Sequence, residues 1–154
     1  GLRVSISYSS NAYGPRQQPE KLIPLATECL LAGRPVPVYG DGEQCRNWIF
    51  VTDLCRALDL FLSGDTEGRR LYLGSEQQVS NLRMLAILAS VAGQDSATSL
   101  QRVADRPGHD RRYGLSSGEF RRLCRFTEQV SLEKGLVETF NWYRERRARA
   151  DSHG

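Results

Sequence analysis

Short apolar runs typical of β-strands alternate along this chain with longer stretches whose apolar residues recur at helical spacing. A β-type run from Arg3 to Ser7 comes first, followed by a helix that we expect to begin at Pro19 and to end at Gly33. Val36 to Tyr39 is the next predicted strand. This alternation restricts the fold to the α/β or α+β class.

The remaining segments continue the alternation. The turn Gly40-Asp41-Gly42, followed by the apolar run from Asn47 to Val51, favours a β-hairpin with the strand before it. Thr52 or Asp53 is the predicted cap of a helix whose apolar face holds Leu54, Ala57, Leu58, Phe61 and Leu62 and which ends at Gly64. The later predicted elements are a strand at Leu71 to Leu73, a helix from Leu82 to Ala92 capped by Ser80 or Asn81, a helix from Ser116 or Ser117 to Cys124, and a helix capped by Ser131 with Leu132, Leu136, Phe140 and Tyr143 inward.

Composition bounds the class of protein. A chain of 154 residues with 40% hydrophobic and 25% charged residues suffices for one domain with a real core, which we assign to 1–143, with a basic helix end and frayed tail at 144–154. No apolar run reaches the ~18 residues of a membrane span, and no signal pattern opens the chain. The four cysteines form no Cys-x-x-Cys pair, so we expect them to be reduced core residues of a cytoplasmic protein.

The run from Asp105 to Tyr113 concentrates three arginines and His109 around the turn Pro107-Gly108. Guanidinium groups fit phosphate oxygens two at a time, so this run, which we call the arginine-rich loop, is predicted to bind an anion of a phosphorylated small molecule. A solvated surface turn is the alternative for this segment alone. Further donors stand at predicted loop positions that could converge on one crevice: Asn11, Arg16, Lys21, Arg46, Arg106 and His109.

Other chemistries find little support in the sequence. Gly40-Asp41-Gly42 does not fit a dinucleotide fingerprint, because the third glycine would stand at Cys45 and no helix is predicted there. His109 and His153 are the two histidines, too few to predict a metal site. A Ser-His-Asp hydrolase would depend on His109, and no nucleophile-elbow sequence accompanies it.

Five segments of the chain together resemble the C-terminal half of the bacterial dTDP-glucose 4,6-dehydratases, in the extended short-chain dehydrogenase/reductase family of NAD-dependent epimerases and dehydratases. These segments are Ser10 to Gln17, Pro19 to Pro24, Pro37 to Gly42, Arg46-Asn47-Trp48 and Asp105 to Asp110. The Arg-Pro-Gly-His-Asp run favours dTDP-hexose dehydratases over epimerases and decarboxylases. The resemblance covers nearly the whole chain.

The resemblance implies the last Rossmann strands plus a smaller α+β substrate-binding domain. It implies a nucleotide-sugar pocket lined by Asn11, Lys21, Leu22, Ile23, Pro24, Pro37, Val38, Tyr39, Arg46, Asp105, Arg106, Pro107, Gly108 and His109. Arg46 and Arg106 would hold the diphosphate of a dTDP-sugar. NAD and the catalytic residues of this lyase would belong to an N-terminal half absent from the chain, so the isolated chain is expected to be inactive and to bind no NAD by itself. That Rossmann half or a second copy is the expected protein partner.

Four departures from the family pattern are Ala12 for an Asn near the nicotinamide, Tyr72 for a nucleotide-binding Asn, Ser75 for a Gly, and Arg125-Phe126 for Gly-Trp. They keep open a second hypothesis, a stand-alone or degenerate module that binds nucleotide diphosphates without catalysis. A third is nucleic-acid binding through Arg144, Arg146, Arg147 and Arg149. A solvated helix end whose cations complement the helix dipole is favoured over it, so neither nucleic acid nor a membrane is a predicted partner.

Overall fold

The computed structural model describes residues 3–105, 107–112 and 114–152. Within these ranges the strands are β1 Ile6–Ser9, β2 Asn11–Tyr13, β3 Val36–Tyr39, β4 Cys45–Phe50, β5 Arg70–Leu73, β6 Gln78–Ser80 and β7 Leu100–Val103. The helices are α1 Leu22–Leu31, α2 Val51–Ser63, α3 Asn81–Val91, α4 Ser96–Ser99, α5 Gly118–Cys124 and α6 Leu132–Asp151.

The strands form three small sheets. β1 pairs in parallel with β5, which places Tyr8 beside Tyr72. β4 lies between β2, its parallel neighbour, and β6, its antiparallel neighbour. β3 pairs in parallel with β7. Parallel strands joined through helices are the mark of α/β architecture, which confirms the predicted fold class.

Two apolar clusters make up the core. In the larger one, α1, α3 and α6 pack on one another and on β3 and β4, with Ile23, Met84 and Leu136 fully buried. In the smaller one, α2 and α5 cover β1 and β5, with Leu71 and Phe120 at its centre. The cavity described below lies beside the larger cluster, to which α1, β3 and β4 all contribute.

The predicted hairpin around Gly40-Asp41-Gly42 is wrong. The turn exists, with positive φ at both glycines. The two strands that it connects do not pair with each other, because β3 pairs with β7 and β4 pairs with β2 and β6. A glycine-rich turn between two apolar runs determines that the chain reverses. It does not determine which strands the two runs hydrogen-bond, because distant partners compete with the local one.

The helix predicted from Pro19 begins three residues later, with Lys21 as its N-cap. Pro24 explains the delay. Proline is tolerated in the first turn of a helix, where its missing N–H would have no partner, but not farther in, where it clashes with the preceding turn. A start at Pro19 would have put Pro24 in the helix interior, so the helix begins at Leu22.

The helix α2 begins at Val51, directly after β4, so neither Thr52 nor Asp53 is its cap. Ala57 and Phe61 are buried as predicted. Leu58 and Leu62 were expected on the same face but are exposed, because each lies one position farther round the helix. The caps predicted at Ser80 and Ser131 are confirmed, since each side chain accepts a hydrogen bond from a backbone N–H three residues later.

The end of the chain is more regular than the sequence analysis predicts. α6 continues to Asp151, so the segment expected to fray from Arg144 is helical up to that residue. An ion pair joins Arg149 to Glu145 one turn earlier, and Arg146 lies over the ring of Trp142. These contacts at helical spacing support the last turns. β2, β6, β7 and α4, each three or four residues long, were not predicted.

The cysteines of the described chain are free thiols, as predicted, but Cys29 alone is buried in the core. No described helix combines the length and apolar character needed to cross a bilayer.

Candidate functional site

A cavity of about 720 Å³ opens between residues of β2, β3 and β4 and the first turns of α1. Seven of the predicted site residues line it: Asn11, Lys21, Leu22, Pro37, Tyr39, Arg46 and His109. They come from five separated segments of the chain. Of the donors predicted to converge, Asn11, Lys21, Arg46 and His109 line the cavity, although Asn11 and Arg46 stand on strands and not in loops, and Arg16 does not line it. The ligand that these donors would hold stays a prediction.

Lys21 and Asn11 contribute to two neighbouring walls of the cavity. Asn11 stands on β2 opposite Trp48 of β4, which also lines the cavity. Lys21 is exposed, and its Nζ lies 3.8 Å from the Glu20 carboxylate. At that distance and exposure the pair is weak, so the ammonium can turn to a ligand at little cost.

Arg46 lines the cavity and is almost fully buried. Its guanidinium donates to the carbonyl of Cys45 at 2.7 Å and to the carbonyl of Asp110 at 2.6 Å. The second bond ties β4 to the arginine-rich loop. Arg46 therefore positions that loop as well as bringing positive charge to the cavity, a role that the sequence analysis missed.

Asp105 and His109 form a pair within the arginine-rich loop. His109 Nδ1 lies 2.7 Å from Asp105 Oδ1, and the imidazole is about nine-tenths buried. His109 lines the cavity, whereas Asp105 stands behind it. A carboxylate can only accept in such a bond, so it fixes the plane of the ring and leaves Nε2 for another partner.

A second contact fastens this loop to the turn between β3 and β4. Arg111 Nη1 donates to Asp41 Oδ2 at 3.0 Å, and the backbone N–H of Glu43 donates to Asp41 Oδ1. The hydrogen bond from Glu43 and that from Arg111 both lower the pKa of the Asp41 carboxyl. The side of the cavity formed by the loop is thus attached to β3 and β4 through several polar contacts.

The other predicted site residues lie elsewhere. Ile23, Pro24 and Val38 are buried and do not line the cavity, whereas Leu22, Pro37 and Tyr39 do. Pro107 and Gly108 are exposed at the tip of the loop, outside the lining. Arg106 lies outside the described residues.

Several lining residues were missed by the sequence analysis: Ala12, Gln17, Glu20, Leu25, Ala26, Val36, Trp48 and Asn81. Trp48 could have been found, since it stands two residues after Arg46 on a strand and so shares its face. The cavity carries Lys21 and Arg46 against one carboxylate, Glu20. This balance suits an anionic ligand.

A dinucleotide phosphate site does not fit the turn Gly40-Asp41-Gly42. The turn Gly40-Asp41-Gly42 leads into strand β4, so it offers no helix N-terminus to a pyrophosphate. No group of three or more metal-ligating side chains occurs among the residues that the structure describes.

Comparison with known proteins identifies related enzymes. Residues 1–74 match the model of the NAD dependent epimerase/dehydratase family. A dTDP-glucose 4,6-dehydratase of Streptomyces niveus is 44% identical over 150 residues, which are 96% of this chain and 44% of that protein. The enzyme of the same name from Salmonella typhimurium is 36% identical over 149 residues, 93% of this chain and 41% of that protein.

Solved structures of related enzymes also superpose on this chain. DesIV, a dTDP-glucose 4,6-dehydratase from Streptomyces venezuelae crystallised with NAD and TYD, superposes with a TM-score of 0.87 at 42% identity, covering 93% of this chain and 44% of that one. A UDP-glucose 4-epimerase from Thermotoga maritima, crystallised with UDP-glucose, gives 0.88 at 26% identity, covering 95% and 47%. The predicted resemblance to dTDP-glucose 4,6-dehydratases is thereby confirmed. The chain spans less than half the length of these relatives.

Proposed function

We propose that this chain forms the dTDP-hexose-binding part of a dTDP-glucose 4,6-dehydratase-like lyase. The observation that carries the proposal is the cavity where Lys21, Arg46 and His109 meet, in a chain similar over nearly its whole length to such enzymes. The diphosphate would lie against Arg46. Each charge-assisted hydrogen bond would contribute roughly 1.5 to 3 kcal/mol.

The nucleoside would lie toward the end of β3. Tyr39 is 42% exposed at the rim of the cavity and Pro37 stands on the same side of the strand. An aromatic ring with one accessible face and a rigid pyrrolidine beside it form a surface suited to a flat base. Binding there would orient the hexose toward the part of the enzyme that acts on it.

The chemistry would come from a Rossmann half outside this chain, which would hold NAD and the catalytic residues. The two-stranded sheet of β1 and β5 supports this division of labour, because parallel sheets are normally covered on both faces. Tyr8 and Tyr72 lie side by side on it, each about 40% exposed. That half, or a second copy of the chain, is the proposed protein partner. The free thiols suit the cytoplasm.

Titration calorimetry with dTDP tests the binding proposal. The sequence contains two lysines, and both are exposed, but Lys21 lines the cavity and Lys134 stands on α6. We expect Lys21→Met to weaken dTDP binding roughly tenfold, the value of one charge-assisted bond. Lys134→Met is the matched control and should bind as the unaltered chain does. Equal affinities for the two variants, or no binding by the unaltered chain, would contradict the proposal.

The stand-alone binding module remains the second candidate, favoured by Ala12 at a position where the resemblance implies an Asn near the nicotinamide. Fusing the chain to the N-terminal part of the Streptomyces niveus relative separates the two. The lyase proposal expects NAD-dependent loss of water from dTDP-glucose, measured by mass spectrometry. A folded fusion that binds dTDP but forms no product would instead support the binding module.

A further inference from the structure

Gln44 is a buried polar residue that the site described above does not use. It stands between the turn Gly40-Asp41-Gly42 and β4, and its side chain is 3% exposed. Its Nε2 donates to the carbonyl of Tyr39 at 3.3 Å and to Asp105 Oδ2 at 3.1 Å. Gln44 therefore links the end of β3 to the arginine-rich loop.

The orientation of the Gln44 amide follows from its neighbours. Both the Tyr39 carbonyl and the Asp105 carboxylate can only accept, so the NH₂ group must face them. Oε1 is then buried without a hydrogen-bond partner among the described residues. Buried polar atoms are nearly always paired, and an unpaired one calls for an explanation other than stability.

The next link runs from Asp105 to His109. Because Oδ2 of Asp105 receives the Gln44 amide, its Oδ1 is directed to His109 Nδ1 at 2.7 Å. The proton of that bond belongs to Nδ1, since a carboxylate has none to donate. The imidazole consequently presents Nε2 as the nitrogen outside this bond, on a residue that lines the cavity.

The loop does not depend on Gln44 for its attachment. The Cys45 N–H donates to the Arg111 carbonyl at 3.0 Å, Arg46 donates to the Asp110 carbonyl, and Arg111 pairs with Asp41. The contact made by Gln44 is thus additional to those that hold the loop. It differs from them in acting on the side chain that orients His109.

We propose that Gln44 is a positioning residue of the nucleotide-sugar site, which holds the Asp105 carboxylate so that His109 keeps one ring orientation and one tautomer toward the cavity. The ligand rests on the function proposed above. The predicted His109 tautomer does not rest on that function, so the tautomer and the ligand can be disproved separately.

The direct test is nitrogen-15 NMR of the imidazoles in mildly alkaline buffer, where an ordinary imidazole is neutral. The sequence has two histidines, and His153→Gln assigns the signals. We expect His109 to be Nδ1-protonated in the unaltered chain and to become a mixture of tautomers in Gln44→Met. Gln94→Met is the matched control, because Gln94 Nε2 also donates to a backbone carbonyl, that of Leu30, away from the cavity.

Calorimetry with dTDP completes the test. Gln44→Met should weaken binding about fivefold with an unfolding midpoint close to that of Gln94→Met, whereas a merely structural residue would shift the midpoint without shifting the tautomer. A His109 tautomer that is Nε2-protonated, or unchanged by Gln44→Met, overturns the proposal whether or not dTDP binds. Tautomer loss with unchanged affinity overturns its link to the ligand. Failure of the unaltered chain to bind dTDP overturns the proposed function and leaves the tautomer result to decide the role of Gln44.

Discussion

The carboxylate of Asp53 accepts a hydrogen bond from the backbone N–H of Val130 at 2.9 Å, across 77 residues of sequence. The N–H of Gln129 donates to both oxygens of the same carboxylate, and Arg56 Nη1 lies 2.6 Å from one of them. Asp53 is 1% exposed. This contact fastens the first turn of α2 to the segment that leads into α6, and so joins the two apolar clusters.

We expect Asp53→Asn to lower the free energy of unfolding by about 3 kcal/mol, because two backbone N–H groups and a guanidinium lose their charged acceptor in a buried place. Urea unfolding followed by circular dichroism measures the loss.

Asp59→Asn is the matched control on the same helix, since Asp59 is exposed. It should change the free energy of unfolding by less than about 0.5 kcal/mol. Equal losses for the two variants would mean that the Asp53 contact contributes nothing beyond the charge of α2.

Tyr13 is buried beneath α6, and its hydroxyl donates to the carbonyl of Leu132 at 3.2 Å. Burial raises the pKa of Tyr13 well above its ordinary value, and the carboxylates of Glu133, Asp53 and Glu138 raise it further. The folded chain therefore keeps the phenol proton at a pH where the unfolded chain has released it. Stability should fall as pH rises above about 10, by up to about 1.4 kcal/mol per pH unit.

Tyr13→Phe should remove the contribution of Tyr13 to this fall of stability with pH. It should cost about 1 kcal/mol near pH 7 through the lost hydrogen bond, but flatten the decline above pH 10. Part of the slope should remain, because burial also raises the pKa of Tyr143. Tyr8→Phe, at a half-exposed ring, serves as the control. Urea unfolding midpoints measured at several alkaline pH values test this prediction. If stability falls with pH as steeply in Tyr13→Phe as in the unaltered chain, Tyr13 is not the source of the decline.

Arg46 supplies the next prediction, which concerns the attachment of the arginine-rich loop. Arg46→Met removes the bond to the Asp110 carbonyl, so the loop should open more often. We expect the Cys45 N–H, which donates to the Arg111 carbonyl, to exchange with deuterium about tenfold faster, the effect of about 1.4 kcal/mol. Arg83→Met, on the exposed face of α3, is the control. Unchanged exchange would mean that the other contacts alone hold the loop.

Local sequence signals predicted the helices well. Serine caps and glycine stops act within a few residues, so Ser80 and Ser131 were found where they cap α3 and α6. The strands β2, β6 and β7 were missed because three or four residues carry almost no periodicity. The partner of β3 is β7, more than 60 residues away, and nothing in the turn at Gly40 encodes that choice.

The site was predicted in part for a similar reason. Arginine, lysine and histidine at loop positions indicated the charge of the cavity, and seven predicted residues line it. Gln44 was missed because an amide beside a strand carries no signal until the fold shows what it touches. Ile23 and Val38 were included by resemblance to whole segments, although periodicity turns them into the core.

The packing of Asp105 against Gly40 yields a last prediction. Gly40 has φ +61°, and a Cβ there would lie 2.8 Å from Asp105 Oδ2, closer than real contacts allow. Gly33 has φ +63° with open space around its Cα. Gly33→Ala should therefore lower the free energy of unfolding by about 1 to 2 kcal/mol, the cost of a left-handed backbone for alanine. Gly40→Ala should lower it by about 1 to 3 kcal/mol more, because the new methyl group displaces the Asp105 carboxylate. Urea unfolding compares the two, and equal losses would show that Asp105 does not pack tightly on Gly40.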